Sequence, residues 1–68
     1  MTTPTVGTGT QSIDRAADLL ARVVRAPSPV TFTELAEVTG LARSTTSRLL
    51  SALERGDLLA RDEQARWI

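Results

Sequence analysis

The sequence predicts a mainly α domain: three helices followed by a small C-terminal β-hairpin. Three observations carry that expectation. Apolar residues recur at spacings of three and four from Ile13 to Val24, Pro27 and Pro29 stop that run, and two further periodic segments are joined across Gly40. The chain has 68 residues, about half a typical domain, which leaves room for one fold and no second. Its 41% hydrophobic content, with four glycines added, comes to about 47% apolar, inside the range of folded globular chains.

The first eleven residues, MTTPTVGTGTQ, offer little apolar surface beyond Val6 to offset the entropy of ordering. A flexible arm over 1–11 and a folded domain over 12–68 are expected. Ser12 reads as an N-cap, and Asp14 suits the positive end of the helix dipole. Ile13, Ala16, Ala17, Leu20, Val23 and Val24 then form the apolar face of a helix ending near Arg25. Beyond the prolines, Val30, Thr31 and Phe32 are β-prone, and Thr33 is expected to cap a short second helix over 34–38. Gly40 fits the left-handed position that closes this helix, with Leu41 packing back on the last turn.

A third helix is expected over 43–55, burying Thr46, Leu49, Leu50 and Leu53 on one side. Gly56 sits one place early for a left-handed cap, which puts Asp57 in that conformation. Residues 58–61 and 65–68, around the polar Asp62-Glu63-Gln64, read as the hairpin, with a turn that is short and lacks glycine. The expected core is Ile13, Leu20, Val24, Phe32, Leu35, Leu41, Leu49, Leu50, Leu53 and Leu59. Trp67 is expected to pack on its edge. The stop directly after Trp67-Ile68 suggests a domain cut from a longer protein.

The composition narrows the chemistry. The chain has no Cys and no His, so it offers no thiol nucleophile, imidazole base or soft metal site. An enzyme is not expected, nor is a cofactor. The N-terminal segment has neither the basic start nor the apolar run of a signal peptide, and no run is long enough to span a membrane. A cytoplasmic protein with no membrane partner is the expectation.

Eight basic and eight acidic residues give net zero, but their placement is uneven. All eight basic residues are Arg. Between Gly40 and Gly56, Arg43, Arg48 and Arg55 stand against the single acid Glu54. At about 100° per residue, the side of the third helix opposite its leucines holds Ser44, Arg48, Ser51 and Arg55, flanked by Ser47 and Thr45. Short hydroxyl side chains allow close approach to a major groove, and guanidinium forks reach guanine edges or phosphates. A plain solvated face would ordinarily mix both signs.

Two helices around a tight glycine turn, the second followed by a hairpin, make a winged helix-turn-helix. Gln11-Ser12-Ile13-Asp14-Arg15-Ala16, Thr33-Glu34-Leu35-Ala36, Thr39-Gly40-Leu41, Arg43-Ser44-Thr45, Arg48-Leu49-Leu50, Leu53-Glu54 and Arg61-Asp62 together resemble the N-terminal DNA-binding domain of the IclR family of bacterial transcriptional regulators. The resemblance covers residues 11–68. It implies the third helix in the major groove of an operator duplex, the hairpin as a wing, pairing as homodimers, and a C-terminal effector-binding domain outside this chain. The DNA-contacting residues expected are Arg43, Ser44, Thr45, Ser47, Arg48, Ser51 and Arg55, with Arg66 on the wing. Ala42 departs from the family pattern, leaving the third helix without a side-chain cap and its first amides free for a phosphate.

Other residues have plainer readings. Arg61 and Asp62 are expected to pair at a strand end, and Arg15, Arg22 and Asp18 to form a solvated stripe from which either arginine can touch phosphate. Glu34 and Glu37 read as an exposed acid pair. The competing function, favoured by net neutrality, is a protein-association module with no DNA role.

Overall fold

The computed structural model describes residues 8–68, with side chains from Gln11 onward. The elements in order are α1 (Thr8–Arg25), α2 (Phe32–Thr39) and α3 (Arg43–Arg55). α1 starts four residues before Ser12, so Ser12 lies inside the helix and Asp14 beyond its first turn. No proline stands between Pro4 and Pro27, and Gly9 opposes the extension by only about 1 kcal/mol. Of the expected arm, residues 8–11 are helical, and 1–7 lie outside the described residues.

The buried side of α1 differs from expectation. Leu19 and Val23 are its buried residues, with Ala16 and Leu20 packed half-buried beside them. Ile13 and Val24, both expected in the core, are 67% and 68% exposed. The rest of the core comes from Leu35, Leu50, Leu53, Leu59 and Trp67, and Phe32, Leu41 and Leu49 pack against it. Trp67 is thus a core residue and not merely an edge.

α2 is capped by Thr31 and not by Thr33. The Thr31 hydroxyl accepts from the Glu34 amide at 3.0 Å, and the Glu34 carboxylate accepts from the Thr31 amide at 2.9 Å. This reciprocal box satisfies two otherwise orphaned donors, and Thr33, with Ala36 three residues on, has no carboxylate to complete one. Gly40 closes the helix at φ 71°, its amide donating to the Ala36 carbonyl at 3.0 Å.

α3 runs over the residues expected, from an uncapped Ala42. The buried Thr46 hydroxyl donates to the Ala42 carbonyl at 3.0 Å, so its burial leaves no unpaired group. At the other end the Leu58 amide reaches Leu53 and the Asp57 amide reaches Glu54, with Asp57 at φ 62°. This is a Schellman closure with Asp in the place glycine usually takes.

The C-terminal segment folds back as expected, but no strand forms among the described residues. Trp67 makes isolated antiparallel bridges with Val30 and Arg61. Val30 and Trp67 exchange amides at 3.0 and 2.7 Å, and Ala60 and Ile68 at 3.1 and 2.9 Å. The turn consumes Asp62 to Ala65, which leaves too few residues on either side for a ladder. In place of a glycine turn, the Asp62 carboxylate accepts from the Gln64 and Arg66 amides at 2.9 and 2.8 Å, and Ala65 is held at φ 61°.

Two predictions arise here. Ala65 in the left-handed region costs about 1 kcal/mol that glycine avoids. Ala65→Gly should therefore raise the thermal midpoint slightly, and a fall would show that the turn does not require that φ. The second concerns acid. Hydrogen bonds from Thr31 lower the Glu34 pKa, the backbone amide contributing most. The Arg66 amide is the main cause of the lowered Asp62 pKa, aided by the Gln64 amide and the Arg66 guanidinium. Because both folded pKa values lie below the unfolded ones, the stability they contribute is complete above the ordinary carboxylate range, about 4. It is lost as pH falls through the lowered values. Chemical-denaturation midpoints of wild type and Glu34→Gln should converge as pH falls through and below that range; a constant gap would refute the linkage.

Candidate nucleic-acid interface

α3 is the element that the fold commits to the surface. Thr46, Leu50 and Leu53 anchor one side in the core, which turns Arg43, Ser44, Ser47, Arg48 and Arg55 into solvent. Thr45 and Ser51 are half-buried at the margins of this face. Between the face and the N-terminal half of α1 runs a cleft of about 710 Å³. Thr45, Ser47, Arg48, Ser51 and Arg55 line it from α3, and Ser12 and Arg15 line it from α1.

The cleft therefore gathers three guanidinium groups and four hydroxyls, and no carboxylate lines it. Nearby acids are engaged elsewhere. Glu54, the one acid on α3, accepts from Arg61 at 3.2 Å through both its oxygens. Arg61 is held further by Trp67, whose ring centroid lies 5.2 Å from its Cζ. Asp18 is taken by Arg22 at 3.0 Å on another side of α1. Net neutrality of the chain thus coexists with a locally positive, hydrogen-bonding groove, which is what a polyanion with acceptor atoms requires.

Of the expected contact residues, five line the cleft, while Ser44 and Arg43 lie on the exposed face outside it. Arg43 is stacked over Phe32 of α2, its Cζ 4.7 Å from the ring centroid. Arg66 is far from this arrangement in character: it is paired with Asp62 at 3.0 Å in the C-terminal turn. The expected Arg61–Asp62 pair does not form, because each side chain has a better-placed partner in Glu54 and Arg66. Ser12 and Arg15 are the additions that the sequence did not single out as contacts within the recognition face. Only the packing of α1 against α3 brings them to the groove.

A larger groove, about 890 Å³, lies elsewhere, between α1, the 26–30 loop and α2. Asp18, Glu34 and Glu37 share its lining with Arg22 and Arg25, so it presents no single sign to a charged ligand. Among the described residues no group of three His, Cys, Asp or Glu side chains could hold a metal. No helix among them is long and apolar enough to cross a membrane.

A helix pair turning through Gly40 into an outward-facing arginine- and hydroxyl-bearing α3 defines a helix-turn-helix domain. The chain belongs to the IclR helix-turn-helix domain family, which matches residues 12–63. It is similar to the HTH-type transcriptional regulator Rv1719 of Mycobacterium tuberculosis, at 46% identity over 52 residues. That match takes in 76% of this chain and 20% of the relative, so the chain spans about a fifth of the length of the regulator it resembles. No solved structure matches it significantly. The family is one of regulator domains and not of enzymes.

Proposed function

We propose that the chain binds duplex DNA sequence-specifically as the N-terminal domain of a bacterial transcriptional regulator, with α3 lying in the major groove. The observation that carries this reading is the cleft face of α3, where Arg48 and Arg55 and three hydroxyl side chains meet Arg15 and Ser12 with no acid among them. Ser44, Ser47 and Ser51 keep the helix surface low enough to enter the groove, and Arg43, Thr45 and the uncapped amides of α3 hold phosphate at its edge. Arg15 does the same from α1. The C-terminal turn serves as a short wing, with Arg66 at its base. The parent regulator acts as a cytoplasmic homodimer on paired half-sites, its effector bound by a separate domain. The protein-association reading rests on net neutrality, and the uneven placement of charge, with Arg15, Arg48 and Arg55 and no carboxylate lining the cleft, answers it as an objection to DNA.

A salt titration tests this reading directly. Binding to the promoter duplex beside the protein's own gene should weaken steeply with salt, with log K falling by about 0.9 per log unit for each phosphate contacted. Arg15→Ala should flatten that slope by about one contact. Binding that is absent at low salt, or indifferent to salt, would reject DNA as the partner.

A further inference from the structure

We propose that the cleft between α1 and α3 is also a binding site for a small free chain of phosphoryl groups, inorganic or carried by a nucleotide, and that this anion excludes DNA from it. Binding of the anion stands on the cleft itself, while the exclusion rests on the DNA reading above.

The arginines of the chain divide by their surroundings. Arg22, Arg61 and Arg66 are each paired with an acid. Arg25 lines the larger groove, whose walls carry Asp18, Glu34 and Glu37, and Arg43 rests on Phe32. The remaining three, Arg15, Arg48 and Arg55, share the α1–α3 cleft, exposed and without an ion-pair partner among the described residues. Like charges gathered in one cleft repel one another. A polyvalent anion that enters removes this repulsion and is attracted by each of them.

The donors stand along two walls. On α3, Arg48 and Arg55 are seven residues apart, so they leave the helix on nearly the same side with about 10.5 Å of rise between them. The half-buried Ser51 lies between the two. Ser12 and Arg15, one turn apart on α1, form the other wall. Guanidinium groups only donate, and hydroxyls donate or accept, so the cleft suits a ligand rich in acceptor oxygens that carries no cation of its own. A single phosphate meets one arginine of the α3 row at a time. A chain of two or three phosphoryl groups extends along the row and still faces Arg15.

The volume of about 710 Å³ falls within the range of small-molecule sites, roughly 300–1,000 Å³. Leu49 and Ala52 are the only apolar side chains lining the cleft, and no aromatic ring is there to stack a base. The site therefore reads the phosphate chain and is indifferent to what the chain is attached to. With no carboxylate on its walls to share a divalent cation, it takes the metal-free and more highly charged form. The side chains that hold this anion are those assigned to the duplex above, so the two ligands compete and the DNA-binding domain itself responds to a phosphorylated ligand.

Titration calorimetry with sodium tripolyphosphate, without DNA and at fixed ionic strength, should show saturable binding of one anion per chain. Arg15→Gln and Arg48→Gln should each weaken it at least about fivefold with an unchanged thermal midpoint, whereas Arg25→Gln, outside the cleft, should change it less than about twofold. A nucleoside triphosphate should bind within about threefold of tripolyphosphate, and citrate, too compact to extend along the arginine row, at least about tenfold more weakly. Excess Mg²⁺ should weaken both phosphate ligands. A labelled duplex should be displaced by tripolyphosphate with an inhibition constant equal to the directly measured dissociation constant. Binding that does not saturate, an equal loss in Arg25→Gln, citrate as tight as tripolyphosphate, a requirement for Mg²⁺, or anion and duplex bound together would overturn the proposal. A chain that binds duplex but not tripolyphosphate overturns this inference alone. One that binds tripolyphosphate in the cleft but ignores duplex at low salt overturns the DNA reading and leaves the anion site standing.

Discussion

Leu19→Ala is expected to cost about 2–5 kcal/mol, while Ile13→Ala six residues earlier on the same helix costs less than about 0.5 kcal/mol. Leu19 is completely enclosed, whereas Ile13 is 67% exposed and loses no packed environment on truncation. Since a core of this size supplies only about 3–5 kcal/mol in total, Leu19→Ala should leave the domain largely unfolded at room temperature. Leu50→Ala, at an equally enclosed site on α3, should do the same. Fluorescence of the single, buried Trp67 during urea titration reports both losses. If Leu19→Ala cost less than Ile13→Ala, α1 would be rotated by about a quarter turn from the structure described.

That contrast also marks how far the sequence was legible. α1 carries apolar residues around nearly half its circumference, so its periodicity announces a helix without saying which of two neighbouring stripes meets α2 and α3. Ile13 and Val24 belong to one stripe and Leu19 and Val23 to the other, and tertiary packing makes the choice. α3 was readable in both respects, because its three leucines and Thr46 form one narrow face and everything opposite is polar. The cap of α2 was misplaced because Thr31 and Thr33 are both competent, and the decision depends on Glu34 standing three residues after the former. The C-terminal strands were overstated, since polarity alternation does not show that a turn from Asp62 to Ala65 uses up most of the available chain. Within the candidate site, α3's contribution follows from the helical wheel. Arg15 does not, because its place in the cleft beside Arg48 arises only when α1 packs against α3.

Arg48→Ala should lose about 1–3 kcal/mol of binding to a preferred duplex and relax selection at one base pair, whereas Arg43→Ala should weaken all duplexes alike. These expectations rest on position within α3. Arg48 lies in the middle of the helix, about 30° from the point opposite its leucines, exposed and free of any ion pair among the described residues. With α3 laid in a major groove as proposed above, a side chain there would meet the groove floor, where a guanidinium fork can make a bidentate contact to guanine that carries discrimination along with affinity. Arg43 begins the helix and rests on the Phe32 ring of α2, and in the proposed complex it would stand at the groove's edge, where phosphates run. Thr45 lines the cleft margin. A phosphate contact is blind to sequence, so losing Arg43 should lower the salt slope by about 0.9 while leaving base preference intact. Both variants are to be measured against a duplex selected from a random library and against its scrambled counterpart, at two salt concentrations. A loss for Arg48→Ala that is equal on the two duplexes would remove Arg48 from the floor of the groove, and a loss for Arg43→Ala confined to the selected duplex would exchange the two roles.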